Sequence, residues 1–594
     1  MNRSDFLKIG ALSGLATCLA IESWSVNSRE ASEIDANLYR QLLAGNDKTV
    51  AGFLSEALVK PASASGFNRP RSVSLTFAVL AASYTTSDSE FYHSEAVRKQ
   101  LETLVSALLE LQNLNGTIDA GGNRQSPPDT AFLLEYLCPA ADLLRRDDSE
   151  ETRQISRQLD DFLINTGEAL VKGGVHTPNH RWVVSASLAR LYTLYSDERY
   201  LERIDQWLDE GVYLDADGQF PERSRNYSRV EAFSLMTIAH LLNRPKLLEI
   251  VEKNLISTYY FLEENGELIT VDSRRQDQNF LLQMSLFYLG YRYLAIAEKN
   301  EMLTAVTRTI EGFEDFEQQV LSRALIHFLD MPMLLQKLPA YGKLPENYTK
   351  YFPLTQVVRI KRGLTTATIF GGNDLPVTVA SGRSSNPTFF TYRKGQAILE
   401  YARLSTSFFN TGYVRSEGLK KDADTYYLHE RKEAHYYQPL PANKRNEEGD
   451  YRLSESLDGR FWSKMDFENR PVSDVQVMET DITVQEHDGE FEMNIKVAAA
   501  EGVQVTLELC FRSGGKLSNV RSTNNQDDYL LADGYATYQA GTDSIRVGPG
   551  ILAHENIDRI DGELYSTHFG SIKGEGMHLF LTGFTPFSHT ITFK

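Results

Sequence analysis

The chain is poor in cysteine, carries no excess of positive charge and has no long apolar run. Among its 594 residues are three cysteines, Cys18, Cys138 and Cys510. Cys138 and Cys510 stand far apart, so a disulfide framework is excluded and the spacing fits no zinc site. Both are expected to be buried small hydrophobes. There are 61 Lys and Arg against 80 Asp and Glu, a net charge of -19. Such a surface repels nucleic acid and anionic membranes, and an acidic ligand needs a local basic cleft. Beyond the N-terminal region no segment is long and apolar enough to cross a bilayer. No repeated unit of the solenoid kind occurs. No cluster of ligands demands a metal, and no cofactor is expected.

What is present reads as an ordinary globular composition, 42% hydrophobic and 24% charged, in a chain too long for one core. Aromatics reach 11%, which suits stacking on sugar rings as well as a large core. Residues 1–22 read as an export signal: Arg3 and Lys8 precede the short apolar run Ile9–Ala20. The stretch from Arg3 to Lys8 resembles a twin-arginine signal with Ser4 in place of the second Arg. Cys18 follows Leu15-Ala16-Thr17 as in a lipobox, with Thr17 where a smaller residue is usual. The expected location is periplasmic or outer-membrane-associated.

Residues 30–340 read as helix after helix. Leu101, Leu104, Val105 and Leu108 recur at helical spacing, as do Phe132, Leu133, Tyr136 and Leu137, and Leu281, Met284, Phe287 and Tyr293. Breaks fall at Asn115-Gly116, Gly121-Gly122, Gly173-Gly174, Asp217-Gly218 and Asn265-Gly266. Antiparallel helix pairs closing into an (alpha/alpha) toroid bury such stripes well. Pro339, Gly342 and Pro345 mark a linker over 341–354. From 355 to 594 the period changes to two, as in Val358–Arg362, Ala367–Phe370, Val377–Ala380, Phe491–Val497, Val503–Leu509 and His589–Phe593. The expectation is an α+β multidomain chain, the toroid followed by an antiparallel beta-sandwich. Residues 415–470, polar and dense in aromatics, read as a long ordered loop.

Two stretches carry chemistry. His176-Thr-Pro-Asn179-His180-Arg181-Trp182 sets an amide beside an imidazole at a helix start. Thr177 is the expected N-cap and Pro178 the first helical residue. Glu222-Arg223-Ser-Arg225-Asn226-Tyr227 brings a phenol and guanidiniums in a loop that enters another helix. Helix starts favour anions. Removing a proton alpha to a carboxylate builds an enolate-like dianion, which Asn179 and an arginine such as Arg225 can stabilise, at roughly 3–4 kcal/mol per good donor. His180 or a tyrosinate can take the proton, and Tyr227 can protonate the departing glycosidic oxygen; each transfer contributes about 10²–10⁴-fold.

The pair Asn179-His180, with Tyr227 47 residues after His180 and arginines just before it, resembles the catalytic set of the alginate-lyase and heparinase II/III-like polysaccharide lyases. The resemblance covers almost the whole chain after residue 22 and implies a toroid followed by antiparallel sheets, with metal-independent beta-elimination at a uronate. It implies that Asn179 neutralises the carboxylate, that His180 is base or base partner, and that Tyr227 is the acid, the last two roles being open to exchange. A sheet-domain Tyr or His also reaches the site in some members; Tyr436, with His435 and Tyr437, is the candidate here. Arg181, Trp182, Glu222, Arg223, Arg274, Arg275, Asn123 and Trp462 are candidates for binding substrate. Candidate substrates are alginate, glycosaminoglycans, ulvan and plant glycans with rhamnose-capped glucuronate.

Two other readings stand beside this one. A toroid-type glycoside hydrolase needs two carboxyl groups across the bond, and Asp129, Asp215, Asp217, Glu222 and Asp272 are available. A non-catalytic surface protein that binds glycans also suits the export signal and the aromatics.

Overall fold

The computed structural model describes residues 33–55, 68–147, 149–279, 281–372, 386–455, 462–557 and 574–594. The export segment with Cys18, the strand expected at Val377–Ala380, and residues 458–461 lie outside the described residues. The chain forms two compact units. One takes in the chain up to Leu214 together with Asn226–Tyr259 and Gln283–Leu344. The other takes in Asp215–Arg225, Tyr260–Leu282 and Pro345–Lys594. The sheet unit therefore includes two segments from the stretch read as wholly helical.

The helices of the first unit, in chain order, are α1 (Ala36–Ser55), α2 (Asn68–Thr85), α3 (Glu95–Leu111), α4 (Pro127–Asp147), α5 (Arg153–Lys172) and α6 (His180–Tyr195). They continue as α7 (Glu198–Asp209), α8 (Arg225–Leu242), α9 (Lys246–Tyr259), α10 (Tyr288–Ala297), α11 (Glu301–Ile310) and α12 (Leu325–Asp330). Helix α6 is buried on nearly every side, from Trp182 to Leu191, and its Ser185, Ala186, Ser187 and Ala189 keep it slim. Its neighbour α7 buries only Tyr200 and Ile204. The same contrast separates α4, buried almost all round, from α5, whose buried Ile155, Leu159, Phe162, Leu163 and Leu170 form one stripe. Helices apolar all round go inside and amphipathic ones go outside. Accordingly α2, α4 and α6 pack on one another as an inner layer, while α3, α5 and α7 pack on them and on each other outside. Helix α10 begins at Tyr288, later than the apolar spacing implies, because Leu282–Gln283 is a short strand and Met284–Phe287 a 3₁₀ turn.

In the second unit, among the described residues, ten strands make one large sheet and eight make another. The pairings are antiparallel except that Asp528–Leu530 runs parallel to Met577–Phe584. Residues alternate along each strand. Phe390 of one sheet meets Phe491 and Phe593 of the other at 5.3 and 5.1 Å between ring centres, so the two sheets share one apolar core. The 341–354 stretch is not all linker: Asn347–Phe352 is a strand paired with Val357–Arg362. Nor is 415–470 all loop. Thr425–Tyr437 is a 13-residue strand paired along its length with Val472–His487. Its charged outward residues hide the period of two from a reading based on apolar alternation.

The face of the ten-stranded sheet that turns away from this core is polar and buried. Arg359 pairs with Glu263 at 2.8 Å, and Arg393 and Arg512 pair with Glu267 at 2.6 and 2.7 Å. Further along this face Glu508 accepts hydrogen bonds from Tyr413 Oη (2.5 Å), Tyr401 Oη (3.0 Å) and His578 Nδ1 (2.8 Å). Burial pulls the His578 pKa down; contacts with the Cys510 thiol and the Glu508 carboxylate more than reverse this and hold it up at about 10. Since the folded value lies above the unfolded one, the pair's stabilisation is complete below about pH 6.5 and is lost as pH rises through about 10. Glu508→Gln is expected to cost about 3–5 kcal/mol in denaturant unfolding at pH 7, as for removal of one buried partner. The cost should narrow between pH 7 and 10; a cost that does not change with pH would show that His578 is uncharged in the native protein.

Candidate functional site

Helices α4, α6 and α8 line a small pocket. It is lined by Phe132 and Glu135 from α4, by Val183 and Arg190 from α6, and by Val230 and Phe233 from α8. On each helix the lining begins three to five residues after the first helical residue. The first turns of α4 and α6 lie together, since the Phe132 ring meets the His180 ring at 6.1 Å. Helix α2 starts there too. Its first-turn Arg71 pairs with Asp129 at 3.2 Å and lies over the Phe132 ring at 4.1 Å, both at the start of α4. The positive ends of the α2, α4 and α6 dipoles thus gather at one place, which favours an anion there.

Asn179 and His180 stand at this end. The helix starts later than Thr177 and Pro178 imply. Residues Thr177–Asn179 form a turn closed by His180 N to Thr177 O at 3.2 Å. Asn179 is the N-cap through its carbonyl, which accepts from Trp182 N and Val183 N. Its side chain does not cap; Nδ2 donates to Thr177 Oγ1 at 3.2 Å, and the residue is fully buried. The His180 ring, also buried, lies edge-on to Phe132 (6.1 Å) and His176 (4.7 Å). Tyr227 is the third residue of α8 and half-buried, in the first turn of a helix whose Val230 and Phe233 line the same pocket. Asn123 reaches this end as well, donating to Asp129 Oδ2 at 2.9 Å.

Other expected residues are engaged differently. Trp182 is 1% exposed and belongs to the helical core, so it offers no face to a sugar. Arg181 pairs with Glu210 at 2.7 Å and stacks on Trp182 at 4.6 Å. Arg225 is a structural cation: fully buried, it grips both oxygens of Asp272 at 3.0 and 2.8 Å, donates to Gln219 Oε1 at 2.7 Å, and lies over Phe261 at 3.7 Å. Its charge is neutralised inside the sheet unit, which removes it from the catalytic set. Glu222 and Arg275 pair with each other. Arg223, in left-handed backbone at φ 49°, donates to Leu354 O at 3.0 Å, and Arg274 donates to Pro221 O at 3.2 Å. His435, Tyr436 and Tyr437 lie at the end of the strand Thr425–Tyr437, and Trp462 lies on the loop beyond it.

The carboxylates a hydrolase would use are also committed. Asp272 holds Arg225, Glu222 holds Arg275, and Asp129 accepts from Arg71, Asn123 and Ser126. Asp217 accepts from the Leu354 and Thr355 amides at 2.8 and 2.7 Å. Asp215 accepts from the Gln219 amide, and burial raises its pKa. Among the described residues no group of three or more His, Cys, Asp or Glu is placed to hold a metal ion.

Beneath the helix starts lies a polar cluster that the sequence reading missed. Arg190 of α6 pairs with Asp330 of α12 at 2.6 Å, both buried. His327 Nε2 is 3.8 Å from Glu135, and its ring packs against Tyr136 and Phe233. Glu135 lines the pocket and is partly buried; burial raises its pKa against the pull of Arg229, Arg190 and Arg71. The available signal was an ionisable residue inside an apolar run: Glu135 after Phe132-Leu-Leu, Arg190 after Leu188-Ala, and His327 within Leu325–Leu329. Burial lowers the His327 pKa to about 3. The unfolded chain protonates near pH 6.5, so this neutral histidine stabilises fully above that pH, and the contribution is lost as pH falls towards 3. Between pH 6.5 and 4 the wild type should lose stability faster than His327→Phe, by up to about 1.4 kcal/mol per pH unit in denaturant titrations. Parallel losses would place a charged histidine in the core.

No protein-family model and no curated protein sequence matches the chain. Solved structures do. Heparinase III superposes with a TM-score of 0.53 at 13% identity, over 87% of this chain and 75% of its own. A Paenibacillus xanthan lyase gives 0.53 at 10% identity, over 95% of this chain; the chain spans 57% of that protein's length. The Streptomyces coelicolor A3 chondroitin AC lyase, in complex with chondroitin sulphate, gives 0.52 at 12% identity, over 94% of this chain and 82% of its own. At such identities the likeness is one of fold: a helical toroid followed by large antiparallel sheets.

Proposed function

We propose that the protein is a polysaccharide lyase that cleaves a uronate-containing glycan by beta-elimination. What supports this reading is that Asn179 and His180 stand where the starts of α2, α4 and α6 gather, with Tyr227 in the first turn of α8, a helix that lines the same pocket. The fold shared with heparinase III, a xanthan lyase and a chondroitin AC lyase supports it. The engagement of the five candidate carboxylates favours elimination over hydrolysis, which needs two carboxyl groups facing the bond.

The uronate carboxylate lies against the helix ends; the Asn179 amide, wholly buried on Thr177 in the free protein, donates to it once the Thr177–Asn179 turn opens. As the ring carbon next to the carboxylate gives up its proton, charge grows on the carboxylate oxygens. Asn179 and the positive helix ends meet that charge. With Arg225 buried on Asp272, this stabilisation rests on neutral donors, with Arg71 the guanidinium seen at the same end. The proton goes to His180 or to the Tyr227 oxygen. The released electron pair forms the carbon–carbon double bond, the bond to the glycosidic oxygen breaks, and that oxygen takes a proton from the other member of the pair. Protein donors supply every charge this scheme needs, so no step calls for a metal. Export through the N-terminal segment would bring the enzyme to glycans outside the cytoplasm.

Purified protein offered uronate glycans should release products that absorb in the near ultraviolet, from the new double bond conjugated to the carboxylate. Asn179→Ala should lower kcat by about 10²–10³-fold, and Tyr227→Phe by about 10²–10⁴-fold, with glycan binding largely kept. Oligosaccharides released without that absorbance would sink the lyase reading and restore hydrolysis. Binding with no turnover would favour a non-catalytic glycan-binding protein.

A further inference from the structure

The buried arginines Arg190, Arg225, Arg292 and Arg359 each hold a carboxylate, at 2.6, 2.8, 3.2 and 2.8 Å. Arg229 of α8 does not. It is half-buried and its Nε is closed off from water, yet among the described residues it has no hydrogen bond and no ion pair. A buried donor left without a partner is costly, and native proteins hold few. Arg229 stands two positions after Tyr227 and one turn before Phe233, which lines the pocket of α4, α6 and α8. Helix side chains lean back towards the N-terminus. Arg229 therefore extends towards the start of α8, beyond the end of the lining that Val230 and Phe233 form.

The charges around it are otherwise spent. Arg229, Arg190 and Arg71 all act on Glu135, so α2, α6 and α8 each turn a cation towards one carboxyl of α4. Arg190 is held by Asp330 at 2.6 Å and Arg71 by Asp129 at 3.2 Å. Asp129 takes further hydrogen bonds from Asn123 and Ser126. Glu135 has His327 Nε2 at 3.8 Å, and its burial favours the uncharged carboxyl. Arg229 thus feels Glu135 without pairing with it, and its charge is unspent within the helical unit. Both candidates for proton transfer stand near. Tyr227 shares the start of α8, and Phe132, which lines the pocket with Phe233, meets the His180 ring at 6.1 Å.

A guanidinium without a partner is selective. Its planar fork offers paired N–H donors that match the two oxygens of a carboxylate, and such charge-assisted bonds are roughly twice as strong as neutral ones. The positive ends of α2, α4 and α6 add to the same preference. We infer that Arg229 is a substrate-binding residue whose guanidinium takes a carboxylate of the ligand, supplying the full positive charge that Arg225, committed to Asp272, does not. Naming that carboxylate as the reacting uronate's rests on the lyase reading; carboxylate binding at Arg229 does not.

The test titrates the full chain with oligosaccharides of glucuronate, mannuronate and galacturonate, and with the same oligosaccharides after their carboxyl groups are reduced to alcohols. In calorimetry the wild type should bind at least one acid about 10–100-fold more tightly than its reduced form, and Arg229→Gln should erase that preference. Arg229→Lys should keep part of it, because the charge stays and the fork is lost. On a parent glycan that the protein cleaves, Arg229→Gln should lower kcat/KM by a similar factor, and added guanidine should restore part of the loss. A wild type with no preference for the acid overturns the inference. So does an Arg229→Gln protein that keeps the preference, or one that weakens on acid and alcohol alike, since Arg229 then serves the fold. If Arg229→Gln does not fold, Arg229→Lys decides: a preference as large as the wild type's overturns the fork contact, and a smaller one upholds it. Ultraviolet-absorbing products formed with unchanged kcat/KM in Arg229→Gln overturn the inference and leave the lyase reading. An acid preference erased by Arg229→Gln, with no such product from any parent glycan, overturns the lyase reading and leaves Arg229 as a carboxylate site.

Discussion

The buried contact between Arg225 and Asp272 governs much of the architecture. Both side chains are wholly removed from water. Burying either charge alone costs several kcal/mol, so the segments 215–225 and 260–282 are stable on the sheet unit only together. Arg359 with Glu263, and Arg393 and Arg512 with Glu267, repeat the arrangement along the outer face of the large sheet. Helix α8 takes its first residue from this clamp. Tyr227, two residues on, inherits its place in the first turn from a pair that never needs to touch a substrate.

That division explains what the sequence disclosed. The helix starts that carry Asn179, His180 and Tyr227 are legible because their setting is local: helix starts have signatures within a few residues. The fold class is legible because apolar spacing changes from helical to alternating near residue 355. The fate of Arg225 is not legible, because its partner lies 47 residues away and an arginine beside a tyrosine reads the same whether it faces an anionic ligand or a buried aspartate. Trp182 misleads for a related reason. A tryptophan beside a polar pair suggests a stacking platform, but helix geometry turns it inward while its neighbours face elsewhere. The strand Thr425–Tyr437 was hidden because outside the core both of its faces carry polar side chains, and alternation of apolar residues is the only sequence mark of a strand.

The commitment of Arg225 to Asp272 also narrows the kind of anion recognition available at the candidate site. Fixed backbone N–H groups and a buried amide hold partial charges that do not titrate and cannot swing away. They suit a single carboxylate entering at one spot. A densely charged polymer, by contrast, is best met by a spread of mobile full charges, which this acidic surface does not supply.

The crossing of the chain between its two units has a consequence in time. The polypeptide leaves the helical unit at Leu214 and Tyr259 and returns at Asn226 and Gln283, before any of the large sheet has been synthesised. Arg225 and Asp272 leave the ribosome together, but the sheet face carrying Arg359, Arg393 and Arg512 follows much later. Until then Glu263 and Glu267 have no guanidiniums to bury against, and the start of α8 lacks its support. The segments 215–225 and 260–282 belong to the sheet unit, so their burial waits for the C-terminal strands, and a chain cut short of those strands leaves Glu263 and Glu267 without the guanidiniums they pair with.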